Sequence, residues 1–201
     1  GKIIKLIEKG YEGSVVYVTA GWSGISKLSS KKQAIKLRER EAKKACKILG
    51  IKSLYFMRQE DRNFAISGKQ VQYLIKIIRK IQPNMIFTPH YEESDLEHRT
   101  TYEITKEACW LAKTSYLPNL GKAAKGLEVL YLYEVWTPLR KYFLKEDITG
   151  VISKKRKAME KYRSQVKNSK LLDAIEGLNL YRGSMLSDSK KYAEVFQIEK
   201  A

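Results

Sequence analysis

Short β-branched or aromatic runs alternate with helical patterns of ten to twenty residues, and this alternation predicts an α/β fold: a mostly parallel sheet between helices, in three layers. Two observations carry the expectation. Runs such as Val15–Val16–Tyr17–Val18 are β-branched and aromatic, as buried strands are. The longer stretches between them repeat apolar residues at three- and four-residue spacing, the period of a helix.

In order, residues 1–9 read as a helix with Ile3, Ile4, Leu6 and Ile7 on its apolar face and Gly10 as its stop. Residues 14–19 are a strand and 20–24 a loop. A long helix spans 31–49, with Ile35, Leu37, Ala42, Ala45, Cys46 and Leu49 inward and Gly50 closing it. A short strand at 52–56 leads to a helix at 69–81, whose Val71, Leu74, Ile75 and Ile78 recur at helical spacing. A strand at 84–88 and a helix at 98–113 follow. After Pro118 the pattern changes to strands at 127–133 and 143–148 (the second at an edge), helices at 154–165 and 169–177, and a short strand at 193–198. A length of 201 residues suits one domain over 1–201. A helix leading into a strand with nothing before it reads as a Rossmann-like fold whose first strand is missing, the strand that usually sits centrally and feeds a functional loop.

The formal net charge is +17, which permits nucleic acid, a membrane surface or an anionic substrate as partner. The lysines are interleaved with glutamate along the whole chain, and only Lys154–Lys155–Arg156–Lys157 is dense. That distribution reads as a solvated surface, so no nucleic-acid partner is expected. No apolar run is long enough to span a bilayer, and residues 1–6 open no signal peptide. Cys46 and Cys109 lie in helical patterns without CxxC spacing and read as small buried residues of a reducing, cytoplasmic compartment.

The chemistry concentrates between Thr88 and Thr101, where a strand runs into a polar loop and then a helix start. Both histidines of the chain, His90 and His98, lie here among Glu92, Glu93, Asp95 and Glu97. Histidines and carboxylates this close suit metal ligation or proton transfer. Local readings stand beside the chemical ones: Asp95 is a good helix N-cap, Glu97 a first-turn acid, His98 a surface residue and His90 a loop residue.

The order of motifs resembles the PIG-L/LmbE-like family of zinc-dependent de-N-acetylases. Arg38–Glu39–Arg40–Glu41–Ala42 with Leu49–Gly50 is similar to its Arg-x-x-Glu…Leu-Gly helix. Asp61 stands where the family places an aspartate after its third strand. Asp95–Leu96–Glu97–His98–Arg99–Thr100–Thr101 looks like its His-Pro-Asp-His-Arg-x-Thr segment, with Asp95 in place of histidine and Glu97 in place of aspartate. Asp147–Ile148–Thr149, Lys155, Ala158, Ser164–Gln165, Arg182–Gly183 and Ala193–Glu194 with Phe196 follow its closing signatures. The family's His-Pro-Asp-Asp motif, source of two metal ligands and a general base, is absent from these residues.

The resemblance implies one zinc ion with His98 as a ligand, catalytic positions at Asp95 and Glu97, and contacts to an amino-sugar substrate from Arg38, Asp61 and His90. His90 would replace the family's oxyanion-stabilising histidine if the loop folds back. Arg38 could equally pair with Glu41, and Asp61 could form a turn. The expected activity is removal of an N-acetyl group from an N-acetylglucosamine-type substrate by zinc-activated water, in a protein that could form a homo-oligomer. The alternative is a non-catalytic remnant of the same fold that binds a sugar or a partner.

Overall fold

The computed structural model describes residues 1–25, 30–167, 169–186 and 191–201. In chain order its elements are α1 (Lys2–Glu8), β1 (Ser14–Thr19), α2 (Lys31–Leu49), β2 (Ser53–Gln59), α3 (Gly68–Ile81), β3 (Met85–Pro89) and α4 (Leu96–Lys113). There follow β4 (Val129–Tyr133), β5 (Leu144–Asp147), α5 (Ile152–Met159), α6 (Arg163–Val166), α7 (Leu171–Ser184) and β6 (Ala193–Lys200). The mixed α/β architecture is the one expected. No described helix is long and apolar enough to cross a membrane. The described residues form two compact units, one of Gly1–Asp61 with Lys145–Glu194 and one of Arg62–Leu144 with Val195–Ala201.

In the first unit β1 and β2 pair in parallel, from Ser14 opposite Ser53 to Thr19 opposite Gln59. Tyr17 stacks on Phe56 across the pair, with ring centroids 5.2 Å apart. α2 starts at Ser30, whose hydroxyl accepts the Gln33 N–H, and ends at Gly50 in the left-handed region (φ 82°), where glycine alone carries no Cβ penalty. Its buried face differs from the one expected. Ile35, Leu37 and Leu49 are only half-buried, while Ala34, Arg38, Glu41, Ala42, Ala45 and Cys46 are buried. Apolar periodicity could not place Arg38 and Glu41 inside, because their burial rests on partners distant in sequence.

The helix expected over 154–165 divides into α5 and α6. Tyr162 leaves helical backbone (ψ 56°) between them, and its hydroxyl meets that of Tyr17 at 2.8 Å. α7 runs seven residues beyond the expected Gly177, to Ser184. Near its end a Cβ on Gly183 would lie 2.1 Å from the Lys191 carbonyl oxygen, so the approach to β6 requires glycine there.

In the second unit β3 and β4 run parallel, Met85 opposite Val129 through Pro89 opposite Tyr133. β6 returns antiparallel to β4, with Val129 opposite Lys200. Phe87, Tyr131 and Phe196 pack their rings over these three strands. The Phe143 N–H donates to the Phe196 carbonyl, which brings the approach to β5 alongside β6. The strands thus form two sheets, β1-β2 and β3-β4-β6-β5, where periodicity alone suggests one. α3 and α4 pack on each other and are joined by Arg79. This buried guanidinium donates to the carbonyls of Leu111, Ala112, Thr114, Tyr116, Leu117 and Gly121 at 2.6–3.2 Å.

Candidate functional site

The loop from β3 to α4 is organised around Glu93, a carboxylate that is 1% exposed. Its Oε1 accepts the N–H groups of Val135, Trp136 and Thr137 at 2.9–3.1 Å. Three consecutive N–H groups aimed at one oxygen form an anion-binding nest. Its Oε2 lies 3.1 Å from the Trp136 nitrogen and 3.2 Å from Nδ1 of His98. Burial alone would raise this carboxyl. The Val135 N–H, the His98 ring and the N–H groups of Trp136 and Thr137 outweigh it and hold the carboxyl below its ordinary value, so Glu93 is an anion at neutral pH.

His98 sits in the first turn of α4 with its side chain about a quarter exposed. An ionised Glu93 facing Nδ1 assigns the proton to that nitrogen, by the hydrogen-bond network, and leaves Nε2 with its lone pair. Carboxylate, imidazole and an open Nε2 are what a metal-binding histidine presents.

His90 is fully buried. Its Nδ1 accepts the Glu92 N–H at 3.1 Å, so Nε2 is the protonated nitrogen, facing the Thr137 carbonyl at 2.7 Å and Glu93 Oε1 at 3.2 Å. Both ring nitrogens, expected to approach substrate, are engaged within the protein. Asp95 caps α4, its Oδ1 accepting the Glu97 N–H at 2.8 Å and its Oδ2 facing the Arg62 guanidinium at 2.8 Å. Burial would raise its carboxyl, but Arg62, the Glu97 N–H and His98 bring it below the usual range. The Glu97 carboxylate accepts the backbone N–H of Arg62. Asp95, Glu97 and His98 therefore share one helical turn, with both acids tied to Arg62.

In the other unit Arg38 and Asp61 meet around the loop at Gly21–Gly24. Asp61, 5% exposed, accepts the N–H groups of Gly21 at 3.0 Å and Ser23 at 2.9 Å. Arg38, 7% exposed, donates from Nε to the Gly21 carbonyl and from Nη1 to Ser164 Oγ, both at 2.9 Å. Glu41 braces the pair: its carboxylate accepts the Ser164 N–H at 2.8 Å and the Ser164 hydroxyl at 2.5 Å, and lies 3.9 Å from Arg38. The second guanidinium nitrogen, Nη2, has no hydrogen-bond partner among the described residues. Burial lowers the Arg38 pKa while Glu41 and Asp61 oppose that shift. A cavity of about 300 Å³ adjoins it, lined by Tyr17, Gly21, Arg38, Phe56, Tyr162 and Gln165 among others.

Glu93 is the residue that sequence reasoning passed over. Its signal was an acid lying between two histidines, three residues after one and five before the other. What decides its role, the three N–H groups of residues 135–137, comes from more than forty residues away.

His98 fits a divalent metal as a single ligand. Among the described residues no group of three or more His, Cys, Asp or Glu side chains is placed to hold a metal ion. The set is thus not completed by them, and no catalytic step through a metal is derived from this geometry.

The sequence model of the family described as GlcNAc-PI de-N-acetylase, PIG-L, matches residues 1–109, more than half of the chain. The chain belongs to the PIG-L family. Solved structures share the PIG-L fold over nearly all of it. The N,N'-diacetylchitobiose deacetylase from Pyrococcus horikoshii is 26% identical, with a TM-score of 0.85 over 98% of this chain and 76% of that one. The 4-carboxy-2-hydroxymuconate hydratase GalB from Pseudomonas putida KT2440 is 21% identical, with a TM-score of 0.86 over 98% and 88%. A zinc-inhibited form of the teicoplanin deacetylase Orf2 is 16% identical, with a TM-score of 0.68 over 100% and 92%. A hydratase among deacetylases shows that this frame carries more than one chemistry, so activity must be argued from the site.

Proposed function

We propose that this PIG-L protein hydrolyses the N-acetyl group of an N-acetylglucosamine-type substrate with one zinc ion held in part by His98. The observation that carries the reading is the Glu93–His98 pair, which fixes the imidazole with Nε2 open at the start of a helix. Family membership and the diacetylchitobiose deacetylase likeness support the reaction class. A bound zinc ion would acidify a water and polarise the acetyl carbonyl. The chain's own residues then have distinct tasks. Glu93 orients His98. Asp95 and Glu97 hold Arg62 and the first turn of α4, and so position His98 rather than touch substrate. His90 locks the loop against Thr137. Arg38 offers its Nη2 edge, unpartnered among the described residues, to sugar hydroxyls or a phosphate, and Asp61 fixes the Gly21–Gly24 loop beside it. The two buried free thiols suit a reducing cytoplasm.

A second reading, a sugar- or partner-binding protein without catalysis, is favoured by the single ligand that the described residues offer and by the pairing of Asp95 with Arg62. Elemental analysis of the purified protein, together with acetate release from N-acetylglucosamine and N,N'-diacetylchitobiose, decides between them. The deacetylase reading expects close to one zinc per chain, and in His98→Ala a loss of the metal with acetate release reduced about a hundredfold or more. A protein that binds the sugars, holds no metal and releases no acetate is the second.

A further inference from the structure

A second concave surface, distinct from the residues assigned above to catalysis, lies between α2 and the segment around α6. It is a groove of about 930 Å³ whose rim carries Arg40, Lys44, Lys47, Lys161, Arg163 and Lys167. None of these six side chains has a hydrogen-bond, ion-pair or ring partner among the described residues. Elsewhere in the same unit some basic side chains, such as Lys32, Lys36 and Lys43 of α2, likewise have no partner among the described residues, while others are paired with acids. Lys2 and Lys5 pair with Glu146, Lys31 with Glu60, Arg58 with Glu39, Lys154 with Glu8, Lys155 with Glu194, and Arg156 with Glu160 and Glu176. The one acid lining the groove among the described residues, Glu41, already accepts from Ser164 and faces Arg38. Arg40, Lys44 and Lys47 stand at i, i+4 and i+7 of α2, on one face, where like charges repel. A concave wall of one sign concentrates the field and attracts a multiply charged anion.

From this we infer that the groove binds a compact ligand carrying two or three phosphate groups. Arg40 to Lys47 spans about 10 Å of helix, which suits such a ligand. Among the described residues the groove is lined by no aromatic side chain, so they supply no stacking platform of the kind that single-stranded nucleic acid uses, and its apolar lining among them is Leu37 and Ile48. The phosphates can belong to a soluble oligophosphate or to a phosphorylated lipid headgroup. The inference is independent of the roles proposed for His98 and Arg38.

Titration calorimetry of the full chain with inorganic tripolyphosphate at physiological salt tests it, beside pelleting with phosphatidylcholine vesicles with and without phosphatidylinositol 4-phosphate. The triple variant Lys44→Gln, Lys47→Gln, Arg163→Gln is compared with Lys76→Gln, Lys122→Gln, Lys125→Gln, which removes the same charge from exposed positions outside the groove. The expected result is one tripolyphosphate per chain, weakened about tenfold or more in the groove variant and less than twofold in the other. Phosphoinositide-dependent pelleting in addition assigns the phosphates to a headgroup, and its absence assigns them to a soluble ligand. Equal weakening in both variants reduces the effect to net charge and overturns the inference. So does failure of the intact protein to bind tripolyphosphate, including the case in which it instead retains duplex DNA through these same lysines.

Discussion

Glu93 shows how much one side chain can organise. A carboxylate withdrawn from water is tolerated only when its charge is answered, and here three N–H groups and two imidazoles answer it. Glu93→Ala leaves those part-buried N–H groups without their acceptor, and a loss on the order of 2 kcal/mol in urea unfolding is expected. Glu93→Gln keeps the shape and removes the charge. Because the folded carboxyl titrates below its ordinary 4.5, its ionic stabilisation is complete above that value. It is lost as pH falls from 4.5 toward the folded value, where the protein binds its proton less readily than the unfolded chain does. The stability gap between wild type and Glu93→Gln should therefore close in acid, and a constant gap from pH 7 to pH 3 would contradict the assignment. The motif that drew attention to His98 was legible in the sequence. The carboxylate behind it was not, because its burial is made by the chain segment after β4. Asp95 and Glu97 were legible as acids of a helix start; Asp95 caps it by accepting the Glu97 N–H, while the Glu97 carboxylate accepts the distant Arg62 N–H, a partner that helix-start patterns do not reveal.

Among the elements, those with strong local signals lie where the sequence puts them: β1 over Ser14–Thr19 and α2 over Lys31–Leu49, the latter delimited by a serine cap and a left-handed glycine. Elements set by tertiary partners do not. α5 and α6 separate at Tyr162, whose hydroxyl finds Tyr17, and the division into two sheets depends on pairings that periodicity does not encode. The clearest tertiary device is Arg79. A helix ends with carbonyls that lack intrahelical partners, and one guanidinium from α3 collects those at the end of α4 and in the turn that follows. Arg79→Ala should cost on the order of 3 kcal/mol, and Arg79→Lys should recover only part of it, since an ammonium has three donors and no fork. Hydrogen exchange should show the loss at Leu111–Gly121 before the rest of the unit. Uniform destabilisation without that local signature would count against the capping role.

At the scale of the whole molecule, a charge of +17 is far from neutral, and the groove cations, unpaired among the described residues, add to its self-repulsion. Raising sodium chloride from ~20 mM to ~300 mM shortens the screening length severalfold and should raise the melting temperature. A fall would mean that the paired cations, such as Lys155 with Glu194, govern the salt response instead. The division into units has a different kind of consequence. Each unit combines early chain with late chain: the first needs residues 145–194 to join 1–61, and the second needs 195–201 to join 62–144. On the ribosome, the first unit cannot close its contacts until residues 145–194 have left the exit tunnel, nor the second until 195–201 have, although domains generally fold in the order of synthesis. β1 and β3 therefore emerge well before the late segments that complete their units. A stop codon just before β6 would leave both units unfinished, and its product should be a client of chaperones and proteases rather than a smaller folded protein.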